Sequence, residues 1–364
     1  MLADRGHAVV ALLHSRRTFA RNDGAALATR PFDGTLDGSP SGGVVTLLDG
    51  DVTAERFGLA APAAGRLAAS VDVIVHCAAL TAFNLSHSTY DRVNVGGTAN
   101  VLAFAAQAGR GLRVLHVSTA YVCGEAEGVV PEAPTSASRF NNGYEASKAA
   151  AEALVLSAHR RGQKVAIARP AMVAGDWESG AIGAFGSMYQ LVRLVMEGRT
   201  GALPAWLDAS LNLVPIDHVA TALADIAERM ELANGRIFHL AASDPVPFTV
   251  LEALAAEFPS LRTPCLIPPE GSDKALLSPR QRLLHATVTE IYAAYLRPSP
   301  SFVTANLTAL SGRRCPPTDE DYVRRLVRYA VATGFLASAR GAPISARRDS
   351  ADLGSSAAPP PSLR

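Results

Sequence analysis

Arg113-Val114-Leu115-His116-Val117-Ser118-Thr119 is a short apolar run that stops at two hydroxyl side chains. It reads as a strand of a parallel sheet, buried on both faces and polar at its carboxyl end. Open α/β sheets bind their ligands beyond that end. Upstream, Val71-Asp72-Val73-Ile74-Val75-His76-Cys77-Ala78-Ala79 has the same form and stops at small residues, which let a ligand approach the backbone. Between the two, Tyr90 to Ala108 carries apolar residues at helical spacing. Strand, helix and strand in this order point to an α/β fold on a parallel sheet.

Downstream lies Tyr144-Glu145-Ala146-Ser147-Lys148. Lysine occurs at positions 148, 164 and 274 in an otherwise arginine-based chain. With eight tyrosines and three lysines in 364 residues, about 0.07 Tyr-x-x-x-Lys pairs are expected by chance. A tyrosine hydroxyl titrates near roughly 10, so it needs a nearby positive charge to exchange protons at neutral pH. Positions i and i+4 of a helix share a face, which would put the Lys148 ammonium and the Tyr144 phenol on one side of a cleft. A compact ammonium can reach both a ribose and the phenol, and the planar guanidinium fork of arginine has a different shape. The plain alternative is a solvated helix face. Asn94 falls in the middle of the Tyr90 to Ala108 helix, where asparagine gains little locally, and its plain alternative is an exposed helix residue.

The chain resembles the extended short-chain dehydrogenase/reductase family. His76-Cys77-Ala78-Ala79, Asn94-Val95-Gly96-Gly97-Thr98, His116 to Val122 and Tyr144-x-x-x-Lys148 match its pattern in order. Arg169-Pro170-Ala171-Met172-Val173-Ala174-Gly175 and Val214-Pro215-Ile216-Asp217-His218-Val219 extend the match to about residue 240. Ser118-Thr119-Ala120-Tyr121-Val122 and Arg-Pro-x-x-Val-x-Gly are closest to the fatty acyl-CoA reductase and thioester reductase branch, which includes the terminal domain of carboxylic acid reductases. The resemblance implies a doubly wound Rossmann-type parallel sheet with a smaller, mostly helical substrate-side region. It implies that Thr119 polarises the substrate oxygen, Tyr144 is the general acid, Lys148 holds the nicotinamide ribose and lowers the tyrosine pKa, and Asn94 organises water. Thr119 is favoured over Ser118 by its interval from Tyr144.

The front of the chain departs from the family. A dinucleotide fold opens with an apolar strand and a glycine-rich turn at the amino end of a helix. Met1 to Leu13 reads instead as the tail of that helix, a glycine cap at Gly6 and the second strand. Gly42-Gly43 precedes a strand and cannot substitute. The absent strand is central in the family's order, so its loss is expected to split the sheet and leave two edges. The expectation is that the start at Met1 is internal to a longer gene. Arg16-Arg17 follows the second strand with no acidic residue for a ribose 2′-hydroxyl, which favours NADP, with NADPH preferred over NADH; a solvated turn is the alternative. By resemblance, Asp51 and Val52 meet the adenine, and Ala78, Ala79, Lys148, Pro170 and Val173 complete the cofactor cleft.

Residues 1–175, continued by 211–243, are assigned to the NADP-binding Rossmann domain, and 176–210 with 244–337 to the substrate-side region. Ser187 to Met196 reads as a helix, Ile237 to Leu240 as a strand, and Asp319 as the start of a last amphipathic helix. Trp177, Phe185, Tyr189 and Trp206 are candidates for lining a substrate pocket. The Ser, Ala, Pro and Arg composition of 338–364 reads as a disordered tail. A net charge of +1 gives no nucleic-acid footprint. No apolar run approaches the roughly 18 residues of a membrane span. Cys77, Cys123, Cys265 and Cys315 show no metal spacing and fit a reducing cytoplasm. The leading function is NAD(P)H-dependent reduction of an acyl thioester, CoA-linked or carrier-bound, or of a related carbonyl compound. A hydroxysteroid or hydroxy-compound dehydrogenase, a sugar-nucleotide epimerase and a non-catalytic dinucleotide-binding protein remain open.

Residues 1–364 are expected to bind NADPH weakly, and a chain extended at its amino end with the strand and glycine-rich turn to bind it more tightly. Titration of NADPH fluorescence against both chains checks this, and strong NADPH turnover by residues 1–364 alone refutes it.

Overall fold

The computed structural model describes residues 1–14, 20–33, 43–108, 111–197, 203–206, 208–258, 261–262, 266–267 and 292–336. Arg16, Arg17 and the 338–364 tail lie outside them.

Among the described residues, the frame divides into a three-stranded and a four-stranded parallel sheet, the division expected from the front of the chain, and four two-stranded pairs lie outside them. Val9–Leu13 pairs with Val45–Asp49, which pairs in turn with Thr29–Pro31. The larger sheet has the order Ile237–Leu240, Val165–Pro170, Arg113–Val117, Val73–His76. Strands inside it are buried on both faces, which is why Val165–Pro170 is buried along its whole length. Val9–Leu13 and Val73–His76 each have one partner among the described strands, and their apolar side chains are only half-buried apart from His76. One apolar cluster spans both sheets, with Leu48, Phe57, Phe104, Val114 and Ile167 at its centre and Leu12 and Ile74 against it.

At the amino end, the short helix Ala3–Arg5 is closed by Gly6 at φ 90°, the left-handed conformation of a helix cap. The helical run after Val73–His76 is His87–Tyr90, a π turn over Asp91–Gly96, and Gly97–Gln107. Gly97 permits close packing there, since a Cβ at that position would sit 3.2 Å from Cγ2 of Val52.

The helix Gly143–Arg160 carries Tyr144 and Lys148. It starts because the Asn142 side chain accepts the Glu145 N–H at 2.9 Å, and it ends with Arg160 in the last turn, where the helix dipole favours a positive charge. A buried ion pair fixes it to the sheet: Arg169 donates from Nε and Nη2 to the two oxygens of Glu152 at 2.9 and 2.6 Å. Nη1 of Arg169 also donates to the Ala133 carbonyl at 3.0 Å and to Nε2 of His239 at 3.3 Å. Burial, then the Arg169 charge, pushes His239 down to about 4, so the ring is neutral at pH 7. With Nε2 accepting from Arg169, Nδ1–H donates to the Val303 carbonyl at 2.9 Å.

A second cluster joins the helix Ser187–Met196, the helix Phe248–Glu257 and the helix Glu320–Ala332 through Leu191, Met196, Leu211, Leu251, Leu254 and Leu326. Asp319 caps the last helix by accepting the Tyr322 N–H at 3.1 Å. The Tyr322 hydroxyl donates to the Gly175 carbonyl at 2.7 Å. Among the described residues, no helix is long and apolar enough to cross a membrane.

Removing one partner of the Arg169–Glu152 pair leaves a buried charge alone. Glu152→Ala is expected to cost about 3–5 kcal/mol in equilibrium urea unfolding. A loss below about 1 kcal/mol would mean that water reaches the pair.

Candidate active site

Thr119 follows the Arg113–Val117 strand, and Tyr144 opens the helix beside it. Both line one cavity of about 300 Å³. Thr119 is buried, and its Oγ1 accepts the Tyr121 N–H at 3.3 Å, which caps the short helix Ala120–Cys123. Ser118 is absent from the cavity wall, and its buried hydroxyl has no hydrogen-bond partner among the described residues. Burial pushes the Tyr144 phenol up to about 12, and the hydrogen bond with Thr119 pulls the other way. The phenol therefore holds its proton at neutral pH.

Lys148 is one turn further into the helix and 2 % exposed. Its Nζ donates to the Val117 carbonyl at 2.6 Å, so the ammonium is tied to the end of the strand that carries Thr119. Burial pulls it down to about 8, opposed by the charge of Glu152 one turn on and by Cys77. An ammonium with that value stays mostly charged at pH 7.

Asn94 is buried, not an exposed helix residue. Its Oδ1 accepts the Leu80 N–H at 2.8 Å, and its Nδ2 donates to the Leu80 carbonyl at 3.1 Å and to Ser147 Oγ at 2.9 Å. It joins the loop after Val73–His76 to the helix of Tyr144 and Lys148. The π turn explains how a mid-helix asparagine is satisfied, because local widening of the helix changes which groups pair. Thr98 donates its hydroxyl to the Asn94 carbonyl at 2.6 Å and receives His76 Nε2 at 3.1 Å. His76 is held down to about 4 by burial and by Lys148, so it is neutral and donates from Nε2.

The residues expected to hold a nicotinamide dinucleotide lie at strand ends. Asp51 accepts the Thr53 N–H at 2.8 Å, and that bond holds its carboxyl below the usual range. The Val52 carbonyl accepts from Asn100 Nδ2 at 2.8 Å. Ala78 is exposed and Ala79 half-buried after Val73–His76. Pro170 is buried at the end of its strand, and Val173 is exposed in the cavity wall. The partly exposed Asp51 carboxylate is open to an adenine amino group and the small Ala78 and Ala79 leave their backbone open to a ligand, so the described residues are compatible with that group.

The cavity wall is mostly apolar, with hydroxyls contributed by Thr81, Thr119, Tyr121, Tyr144, Tyr189 and Tyr295. Phe83, Met172, Val192, Leu211, Val327 and Phe335 are typical, and no charged side chain lines it. Of the four aromatics expected there, Tyr189 lines the cavity and Phe185 stacks behind it on Phe335 at 3.9 Å. Trp177 instead donates Nε1–H to the Pro317 carbonyl, and Trp206 is 48 % exposed. Sequence reasoning missed Phe83, Tyr121 and Tyr295. The apolar stripe Val323, Leu326, Val327, Ala330 on the last helix was the available signal for its part of the wall.

This arrangement is that of an extended short-chain dehydrogenase/reductase, a class of NAD(P)-dependent oxidoreductases. Residues 36–223 match the NAD-binding family described as Male sterility protein, and the chain belongs to it, within the thioester reductase branch. Among curated relatives, the chain is 32 % identical over 209 residues to the glycine betaine reductase ATRR of Emericella nidulans, covering 56 % of this chain and 16 % of that protein. It is 30 % identical over 236 residues to a 4-hydroxy-2-methyl-3-oxo-4-farnesyl-3,4-dihydroquinoline-1-oxide ketoreductase of Stigmatella aurantiaca, covering 63 % of this chain and 66 % of that protein. The terminal R domain of the myxalamid PKS-NRPS pathway superposes with a TM-score of 0.70 at 25 % identity, over 81 % of this chain and 77 % of that one. The chain thus spans a small part of the first of these relatives.

Glu145, beside Tyr144, is fully buried, and burial raises its carboxyl to about 7. A raised folded-state value means stability that is present below about 4.5 and lost as pH rises through about 7. Buried neutral histidines such as His76 and His239 act in the opposite direction between about 4 and 6.5. The difference isolates Glu145. Between pH 5 and 7, the urea midpoint of Glu145→Gln is expected to rise relative to wild type, and parallel curves would place the carboxylate in water.

Proposed function

We propose that this protein reduces an apolar acyl thioester, held on CoA or on a carrier domain, with NADPH as hydride donor. The observation that carries the reading is the cavity, in which Thr119 and Tyr144 share a wall with apolar side chains and no charge. A bound nicotinamide supplies the hydride. The chain's own part is to receive the carbonyl. Thr119 and Tyr144 donate hydrogen bonds to the oxygen as it gains negative charge, and Tyr144, protonated at neutral pH, delivers the proton. Lys148, tied to the Val117 carbonyl, holds the cofactor ribose, and Asn94 holds the Tyr144 helix against the loop at Leu80. The resulting hemithioacetal releases a thiol and leaves an aldehyde.

Arg16 and Arg17 support NADPH over NADH, since they follow the Val9–Leu13 strand where a 2′-phosphate would lie. The myxalamid R domain and an archaeal thiolation-reductase di-domain, similar at a TM-score of 0.65 and 18 % identity, support a fold suited to carrier-bound substrates. A sugar nucleotide fits less well, because most of this wall is aliphatic or aromatic and it carries no charged side chain. An apolar ketone is the second reading, favoured by the same wall and by the Stigmatella aurantiaca ketoreductase.

With purified protein at saturating NADPH, kcat/KM for acyl thioesters is expected to rise about fourfold per added methylene while the chain is extended within the cavity. Tyr144→Phe should lower kcat by about 10²–10⁴. Aldehyde or alcohol detected by mass spectrometry supports the thioester reading, and reduction of apolar ketones with no thioester product supports the second.

A further inference from the structure

The start of the Tyr144 helix is closed by a residue from far along the chain. Tyr295 donates its hydroxyl to Oε1 of Glu145 at 2.5 Å and accepts from Nδ2 of Asn142 at 2.9 Å. Asn142 Oδ1 accepts the Glu145 N–H, and Oε2 of Glu145 accepts from Asn141 through both the backbone N–H and Nδ2 at 3.0 Å. In an ordinary capping box, a residue three positions on reaches back to the start of the helix. Here Tyr295 is inserted into that loop of hydrogen bonds, directly beside Tyr144.

The other end of Tyr295 faces the cavity. Its ring stacks on Phe83 with centroids 5.4 Å apart and planes 14° apart, and meets Tyr121 edge-on at 5.4 Å. Phe83 lies 6.1 Å from the Tyr144 ring. All four aromatics line the cavity. Tyr295 also forms part of a smaller pocket on its other side, with Asn141, Arg297 and Ser299. One side chain therefore spans the space meant for an apolar tail and the hydrogen-bonded cap of the helix that holds the proton donor.

We infer that Tyr295 is a positioning residue for Tyr144, which makes the orientation of the proton donor depend on an apolar tail packed against Phe83 and Tyr295. The inference rests on the thioester reading for the identity of the tail. A filled cavity pins the Tyr295 ring, the pinned hydroxyl holds Glu145 and Asn142, and the first helical turn is then fixed with Tyr144 on it. Binding energy from a part of the substrate remote from the carbonyl thus appears in kcat and not only in KM. The groups around Glu145 are Tyr295, Tyr121, Tyr144 and Cys123, all with raised values and so neutral at pH 7. The coupling runs through hydrogen bonds and packing, and among these groups Glu145, raised to about 7, is the one that titrates near neutrality.

Tyr295→Phe keeps the ring and removes the hydroxyl. With butanoyl and decanoyl pantetheine as paired substrates, wild type is expected to show a kcat roughly tenfold higher for the longer chain. Tyr295→Phe should lose most of that ratio while its KM for the longer chain stays within about twofold. An unchanged kcat ratio overturns the inference. A second measurement needs no turnover. Hydrogen exchange at the Glu145 and Ala146 amides, which bond to Oδ1 and the carbonyl of Asn142, is followed with decanoyl pantetheine and no cofactor. Slowing in wild type but not in Tyr295→Phe supports the coupling, and equal slowing in both, or none in either, overturns it. If wild type reduces no thioester, the thioester reading fails, and exchange measured with an apolar ketone such as 2-undecanone in place of the thioester still decides the role of Tyr295.

Discussion

The buried pair of Arg169 and Glu152 is the constraint on which the site depends. An ion pair with both side chains almost wholly out of water is costly to assemble and tolerates little change in geometry. It joins the strand that ends at Pro170 to the helix that begins at Gly143. Thr119 stands on the neighbouring strand's end, and Lys148 is one turn before Glu152 on that helix. Fixing Glu152 against Arg169 therefore sets the height of Lys148 against the Val117 carbonyl and, one turn back, the place of Tyr144 beside Thr119. His239 and the Ala133 carbonyl complete the coordination of the guanidinium, so two further segments are held by the same charge.

Around this fixed base the two halves of the cleft differ in character. On the strand-end side, several buried polar groups are paired, Asn94 with Leu80 and Ser147, Lys148 with Val117 and His76 with Thr98, while the Ser118 hydroxyl is not. Such networks define one arrangement, because any shift leaves a buried partner unmet. On the cavity side the wall is aliphatic and aromatic, and dispersion contacts there adapt more readily to the shape of a guest. In the proposed reaction the carbonyl meets the rigid half and its tail the adaptable one. Tyr295 belongs to both.

Much of the frame was legible in local sequence. The strand at Ile237–Leu240, the helix at Ser187–Met196, the cap at Asp319 and the glycine stop at Gly6 each follow from a few adjacent residues whose preferences agree. The divided sheet was legible as well, because pairing order follows from the family's topology. Partnerships across the chain were not. Nothing near Glu145 marks Tyr295 as its partner 150 residues later, and Phe83 lies in a loop with no periodic pattern. Trp177 and Trp206 attracted attention by size alone, yet indole size says nothing about direction: one ring packs under Arg325 and the other faces solvent. Asn94 was singled out correctly as anomalous in a helix, but its burial depended on the π turn, which has no simple sequence signature.

The divided sheet also bears on how the molecule behaves in company. Val9–Leu13 and Val73–His76 each present a run of backbone donors and acceptors without a partner among the described strands, on segments carrying no charged side chain apart from any proton on His76. Soluble proteins commonly protect such borders with lysine, proline or a bulge, and neither strand contains any of these protections. A pair of uncharged, half-buried borders of this kind is a template for strand addition.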